Sequence, residues 1–517
     1  MRSTFHGIET AKRSLFTHQA ALQTTAHNIA NASNPAYSRQ IVNMQAARPI
    51  EAVGMTHSAV PGQLGTGVEF SSITRVRERF LDDQFRNQNK ELGSWTVQQD
   101  TLEKLEKIVN EPSDSGIRTV LERFWSAWSD LSKDPERIDG RKVVREAAMA
   151  LADAFNHTSR QLEDLKNDLT KNIELKTDEI NTLLTAIADL NREIYRIEGL
   201  GDNANDLRDQ RDDLTDKLSK IINITVQETA SGYTITMGNT QLVNGATAST
   251  VTAEGLTAAF GGDLTGGELY GMIRSRDVLV TQYEAELDTL VNTIANGEVT
   301  VTIPAGSVLP EGAVVKINGV EQTLTGAQRY ITEDTKVTVN GLNGLHKLGY
   351  LLTDPPTAGG DFFVGNTAAT FRLNPAIEKD PTLIATSMRT AGSGSSESVV
   401  TGNNTLALLI SELKSEKFVF QPSGGGQSVS ATVDDYWGSV VGVLGVQAQE
   451  AGRQADNQRV LVDQVDARRQ SVSGVSLDEE MANMIKFQHA YNAAARVMTV
   501  YDEILDRIIN GMGVVGR

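Results

Sequence analysis

The stretch Ser476-Leu-Asp-Glu-Glu-Met481-Ala-Asn-Met484-Ile-Lys-Phe487-Gln-His-Ala-Tyr491-Asn-Ala-Ala-Ala495-Arg-Val-Met498-Thr-Val-Tyr-Asp502-Glu-Ile-Leu505-Asp-Arg-Ile-Ile509-Asn-Gly511 holds the clearest pattern in the chain. Leu477, Met484, Tyr491, Met498 and Leu505 recur every seven residues, with Met481, Ala495 and Ile509 in the places between. Apolar residues at that strict spacing predict a long helix with a narrow coiled-coil seam. Ser476 followed by Glu479 reads as a capping box at its start, and Gly511 as its stop.

The other end of the chain offers such a helix a partner. Ile8, Leu15, Leu22 and Ile29 also recur every seven residues, with Ala11, His18 and Thr25 between them. Both seams carry polar residues, His18 and Thr25 in one, Gln488 and Asp502 in the other. Narrow, partly polar seams predict weak pairing in the isolated chain and termini that settle when other subunits cover them. The plainer reading is an intramolecular helix pair closing an ordinary domain.

A chain of 517 residues has room for several domains. Its net charge of −18 argues against a general binder of nucleic acid or of an anionic membrane surface. The ends differ: residues 1–50 carry five Lys/Arg against one Glu, and residues 471–517 four against six acids. Without cysteine there is no disulfide, thiolate metal site or Cys nucleophile. No run approaches 18 consecutive apolar residues, so no membrane-spanning helix is expected. Arg2, Lys12 and Arg13 are not followed by an apolar segment, so the start does not read as a secretory signal peptide.

After the first helix, Asn31-Ala-Ser-Asn34-Pro35-Ala-Tyr37-Ser38-Arg39 predicts a turn, because Asn and Ser crowd around a proline. Two short strands, 40–44 and 67–73, follow as a hairpin spur around the Gly-rich turn 61–67. From Thr74 to Ile222 three- and four-residue apolar spacing predicts long helices, the longest over 136–198. Residues 221–265 alternate β-branched and polar residues as strands do, and a helix resumes at 267–296. A second β-rich block, about 298–345, has the character of an insertion at a loop tip. Short elements at 361–364, 371–373 and 380–387 come next, then a helix at 404–418 between Gly/Ser linkers at 391–398 and 423–427, and a last long helix from Val433.

The fold class expected is therefore mainly α with inserted β-rich parts, an elongated multidomain subunit whose terminal helices pair as a coiled coil. Three layers follow: residues 1–45 with 472–517 inside; 46–222 with 375–471 as a long-helix body; 223–374 outermost, carrying the block at 298–345.

Catalytic signals are poor. The seven histidines show no ligand spacing. Ser411-Glu-Leu-Lys414 matches a four-residue hydrolase motif but lacks its companion elements. Asp209, Asp212, Asp213 and Asp216 can hold a divalent cation, yet Arg208, Arg211 and Lys217 beside them favour a solvated, salt-bridged helix face. No phosphate-cradling glycine loop is present. Neither cofactor, nor metal, nor enzyme activity is expected.

The ends carry a resemblance. Ala26-His-Asn-Ile-Ala-Asn-Ala-Ser-Asn-Pro-Ala-Tyr-Ser-Arg39 resembles the N-terminal signature of the bacterial flagellar rod, hook and hook-associated proteins, with Ala36 where many members have glycine. Ser473-Gly-Val-Ser-Leu-Asp-Glu-Glu-Met-Ala-Asn-Met484 resembles their C-terminal signature, most closely that of the hook-associated branch. Gly65-Thr-Gly-Val68, Arg75-Val-Arg-Glu-Arg-Phe-Leu81, Phe362-Phe363 and Leu373-Asn-Pro-Ala376 are similar too; residues 298–345 have no counterpart.

The resemblance implies a structural part of the flagellum, an adaptor ring joining hook to filament through paired terminal helices. It implies the hook protein, a second junction protein and further copies of the chain as partners, and an export chaperone at the C-terminal helix. It also implies export through the flagellar apparatus without a cleaved signal. On that reading Asn28, Asn31, Asn34 and Ser38 fix the turn and Tyr37 anchors it. Leu477, Met481, Met484, Phe487, Tyr491, Met498 and Leu505 pack against Ile8, Leu15, Leu22 and Ile29 of the same or adjacent subunits. The competing expectations are another axial protein, of hook or distal rod, and an extracellular adhesin or enzyme domain at 298–345.

Overall fold

The computed structural model describes residues 5–49, 64–111, 113, 116–392, 396–421 and 427–511. The expected turn residues 61–63 and the linker residues 393–395 and 423–426 lie outside them. Helix α1 (His6–Ala30) precedes the antiparallel hairpin β1 (Gln40–Ala46) and β2 (Val68–Arg75). Helices α2 (Arg79–Val109), α3 (Ile117–Lys133), α4 (Ile138–Glu198) and α5 (Asn205–Ile221) follow. Strands β3 (Thr225–Thr229), β4 (Gly232–Met237), β5 (Thr240–Asn244) and β6 (Thr247–Ala248) form an antiparallel sheet in that order. Then come α6 (Ala253–Ala258), α7 (Glu268–Arg274), a π-helical stretch Ser275–Val280 and α8 (Thr281–Asn296).

Strands β7 (Glu298–Ile303), β8 (Ala313–Ile317), β9 (Val320–Leu324) and β10 (Thr335–Asn340) lead into α9 (Gly341–Lys347). Short pieces follow: β11 (Phe363–Val364), β12 (Arg372–Leu373), α10 (Pro375–Lys379), β13 (Thr390–Ala391) and β14 (Ser398–Val399). The chain ends through α11 (Thr405–Glu412), β15 (Phe418–Phe420), β16 (Val429–Ala431), α12 (Val433–Ser473) and α13 (Leu477–Gly511). The fold is mainly helical with several small sheets.

The chain divides into two compact units, residues 1–94, 174–270 and 455–517 in one, 95–173 and 271–454 in the other. This line runs across the three-layer division drawn from composition: 223–270 fall in the first unit and 271–374 in the second.

In the first unit, Ile180, Leu184 and Ile187 of α4, Leu218 and Ile221 of α5, and Ile235, Met237, Leu242 and Val243 of the four-stranded sheet are buried. Buried Asn191 ties α4 to that sheet, donating to the carbonyls of Tyr233 and Gly245 and accepting from the Tyr233 amide.

In the second unit Phe124 and Trp128 of α3 meet Phe362 and Phe363, and Phe371 joins Phe363 to Phe155 of α4. Here the sequence expectation changes. The block from Glu298 is no separate insertion: its strands share a six-stranded sheet, order β16-β15-β7-β10-β8-β9, with residues 418–431. Val299, Val301, Ile303 and Val337 are buried in the same core as the aromatic residues. The strands stop at Asn340 because Gly341 turns the chain at a φ of 57° against Ala295 and Asn296, where a side chain would collide. The short helix expected near 380–387 is a 3-10 turn, Pro381–Leu383, capped by Asp380. An α-helix not expected from the sequence precedes it at Pro375–Lys379, where Asn374 caps it and Pro375 suits its first position.

His346 on α9 is fully buried. Its Nδ1 lies 2.7 Å from the Gly360 carbonyl, and its Nε2 accepts the Ala385 amide at 2.9 Å. An imidazole that donates at one nitrogen and accepts at the other is neutral.

Candidate assembly interface

Helices α1 and α13 pack together, antiparallel. The ring of Tyr501 lies over Gly7, His18 stands 6.3 Å from Phe487, and Asn28 reaches Glu480. A Cβ on residue 7 would sit inside the Tyr501 ring, so the glycine admits the close approach. On α13 Glu480 and Ala494 are buried, and half-buried Met484, Phe487, Tyr491 and Met498 continue the same face, alternating four and three apart.

The seven-residue repeat read from the sequence holds from Met484 to Leu505, with Phe487, Ala494 and half-buried Ala495 between its members, whereas Leu477, Met481 and Ile509, also expected in the seam, are exposed. A 3.6-residue turn puts i+3 and i+4 on one side, and only the partner decides between them. Met481 and Ile509 are left exposed. On α1, Gly7, His18 and Asn28 meet α13, and Ala11, Ala21 and Thr25, at helical spacing between them, are buried. Ile8, Leu15, Leu22 and Ile29 sit one place aside, half-buried. Small residues line this seam, and on α1's hairpin side Thr17 donates to the Val68 carbonyl at 3.3 Å.

Two apolar sets therefore coexist on α13. Met484, Phe487, Tyr491, Met498 and Leu505 are half-buried within the subunit. Leu477, Met481, Ile485, Val497, Val500, Ile504 and Ile508 are exposed, between 41% and 55% accessible.

Asn28 organises the turn after α1. It is 1% exposed and uses its whole side-chain amide. Nδ2 donates to the Gln40 carbonyl and to Glu480 Oε2, both at 2.9 Å. Oδ1 accepts from Tyr37 Oη at 2.7 Å and from the Gln40 amide at 3.0 Å. Burial, with Asp206, Asp209 and Glu480 nearby, pushes the Tyr37 hydroxyl well above its ordinary pKa, so it stays a donor. The Ser38 amide donates to Asp209 at 2.8 Å, and its hydroxyl accepts from Arg77. Asn31 and Asn34 act locally: Asn31 donates to the His27 carbonyl, and exposed Asn34 accepts the Ala36 amide.

Sequence reasoning passed over Arg39, Gln40 and Glu480. Arg39 Nε meets Glu480 at 2.9 Å and its two terminal nitrogens meet Glu479 at 3.0 and 3.1 Å. Glu479, expected in a capping box, thus faces Arg39. The only sequence signal was opposite charge, Arg39 beside the Asn-Pro turn and the acidic first turn of α13.

The acid cluster on α5 is salt-bridged as expected, but not solvated. Asp209 and Asp212 are 4% and 1% exposed. Arg75 lies 2.6 Å from Asp209 and 2.9 Å from Asp212, Arg77 clasps Asp82, Arg86 meets Asp216 at 2.8 Å, and Arg469 reaches Asp216. These arginines come from β2, the segment after it, α2 and α12, which a window around α5 does not show. Burial opposes ionisation of Asp212, yet Arg77, Arg75, Arg86 and the Tyr233 hydroxyl hold its carboxyl well below the usual range. For Asp209 burial wins over Arg75 and pushes the carboxyl up. The carboxylates face guanidinium groups, and among the described residues no group of His, Cys, Asp or Glu is arranged to hold a metal ion. No helix among them is long and apolar enough to cross a membrane.

Comparison with known proteins agrees with this arrangement. Residues 102–298 match the helical domain of flagellar hook-associated protein FlgK, and residues 468–511 the C-terminal model of the flagellar basal body rod FlgEFG proteins. The chain is 35% identical to flagellar hook-associated protein 1 of Bacillus subtilis, with all of both chains aligned. It is 26% identical to the Escherichia coli protein of that name, over 97% of this chain and 99% of the other. The structure of the flagellar hook junction protein FlgK from Burkholderia pseudomallei shares the fold, with a TM-score of 0.53 at 14% identity, over 76% of this chain and all of that one. On full-length identity to a named relative and on its paired, signature-bearing ends, the chain belongs to the flagellar hook-associated protein 1 family, structural components of the bacterial flagellum.

Proposed function

We propose that the chain is an adaptor between hook and filament that works by packing alone. The observation that carries the reading is the exposed apolar surface of α13, in two patches along its length. Leu477, Met481 and Ile485 near its start, and Val497, Val500, Ile504 and Ile508 near its end, stay exposed on two sides of the helix that flank the face covered by α1. Large apolar residues grouped in the open mark a surface meant to be covered. Further copies of the chain in a ring, the hook protein and a second junction protein are the occupants this reading assigns. Residues 1–45 and 472–517 form the inner, assembling part, and the rest is carried outside it. Before assembly an export chaperone shields the same apolar surface, and the chain leaves through the flagellar export apparatus without a cleaved signal.

The test uses hooks stripped of their junction proteins. They are mixed with the intact chain or with one lacking 1–39 and 476–517, and co-sedimentation is measured. Saturable binding by the intact chain alone supports the adaptor reading. Equal binding by both, or by neither, moves the contact to the helical body or the chain to another place in the axis.

A further inference from the structure

Helix α12 ends at Ser473 and α13 begins at Leu477, with Gly474-Val475-Ser476 between them. No proline enforces this gap, and a glycine inside a helix costs only about 1 kcal/mol. Helical hydrogen bonding runs up to it from both sides: the Gly474 amide donates to the Gln470 carbonyl at 2.8 Å, and the Glu480 amide to the Ser476 carbonyl at 2.9 Å. In an unbroken helix the Ser473 carbonyl would accept the Leu477 amide. Instead it accepts the backbone amide of Arg39, at 2.8 Å.

The same residue grips the far side of the gap. Arg39 holds Glu480, whose side chain is 3% exposed, and the exposed Glu479. Gln470 of α12 adds a bond to the Pro35 carbonyl, and Asn28 one to Glu480. The N-terminal turn thus occupies the acceptor a continuous helix needs and clasps the first turn of α13.

We propose that the break between α12 and α13 is conditional. It is held open by the Arg39 clasp, and residues 474–476 join the two helices into one when the N-terminal segment leaves. The C-terminal helix then presents its exposed apolar residues in the described orientation only while the N-terminal turn is docked, so each end licenses the other. This stands on the chain alone and does not depend on the adaptor reading.

Hydrogen exchange on the whole chain tests it, comparing the wild type with Arg39→Glu, which sets a third carboxylate against Glu479 and Glu480. Exchange in α3 and α4 serves as the control for intact folding. The proposal expects amides of α1 to exchange faster while those of Val475, Ser476 and Leu477 slow by about an order of magnitude or more, as they enter a helix. Adding Glu479→Arg to Arg39→Glu restores the opposite charge and returns both sets toward wild type. If the 475–477 amides stay as fast, or speed up with α1, the break belongs to Gly474 itself and the proposal fails. If α1 is not released by Arg39→Glu, the clasp does not hold it and the proposal fails equally.

Discussion

Asn28 on α1 and Glu480 on α13 are joined by a buried 2.9 Å hydrogen bond across 452 residues of sequence. Every other bond of the Asn28 amide goes to Tyr37 or Gln40, so one side chain fixes both the turn and the crossing of the terminal helices.

Replacing it with alanine removes four hydrogen bonds at once. Each buried polar group left without a partner costs about 1–3 kcal/mol. Asn28→Ala is expected to speed amide exchange in 6–30 and 477–505 while exchange in the second unit stays at wild type. Unchanged exchange in both helices would show that the seam, not the asparagine, holds the pair.

The two apolar sets of α13 separate stability from assembly. Leu477→Ser with Met481→Ser touches exposed residues, so the isolated chain should unfold within about 0.5 kcal/mol of wild type, while binding to stripped hooks falls. Phe487→Ala should weaken the α1–α13 pair itself, by less than the roughly 3–5 kcal/mol of a fully buried Phe. Tyr491→Asp in the same seam should abolish binding to hooks and leave the second unit folded. Thermal unfolding and co-sedimentation of the same samples read both effects, and normal binding by the Leu477/Met481 variant would exclude the apolar patch at the start of α13 from the interface.

His346 makes the second unit sensitive to acid. Burial lowers its pKa from 6.5 to about 4, with Arg141 adding to the effect and the Gly360 carbonyl opposing it. The folded chain therefore binds fewer protons than the unfolded chain between those values. The stability is complete above pH 6.5 and is lost as pH falls toward 4, on the order of 3 kcal/mol at about 1.4 per pKa unit. Urea midpoints measured across that range should slope for the wild type and flatten for His346→Gln. A parallel slope in both would assign the effect to other groups.

The block of residues 298–340 should not be removable. Joining 297 to 341 takes Val299 away from Phe418 in the sheet and opens the core that Val301, Ile303 and Val337 fill. Excision is expected to give a second unit that is soft to proteolysis, whereas a loop-tip insertion would be cut out without loss.

Several elements were legible because one-dimensional period carries them. The heptads of 477–505, the apolar spacing of 138–198 and the Asn-Pro turn after α1 need no partner to be recognised, since helical period and turn chemistry are local. Local pattern failed where two answers shared one period or where the partner lay far away. Met481 and Phe487 both suit a seam with Met484, and only the approach of α1, through Gly7 and His18, chose Phe487. The acids of α5 read as a wet helix face until arginines from three other elements closed over them. Strands of 298–340 looked self-contained because their neighbour, Phe418–Phe420, comes about 80 residues later. By itself, then, the sequence determined which long segments are helical and that the two ends carry matching seams. It determined neither the short helices at Ala253–Ala258 and Gly341–Lys347 nor that the helix expected at 404–418 stops at Glu412, before the strand Phe418–Phe420. Which residues fill those seams, which charges are buried and which strands share a sheet was decided only by tertiary structure, because burial and pairing depend on groups the chain brings together from a distance.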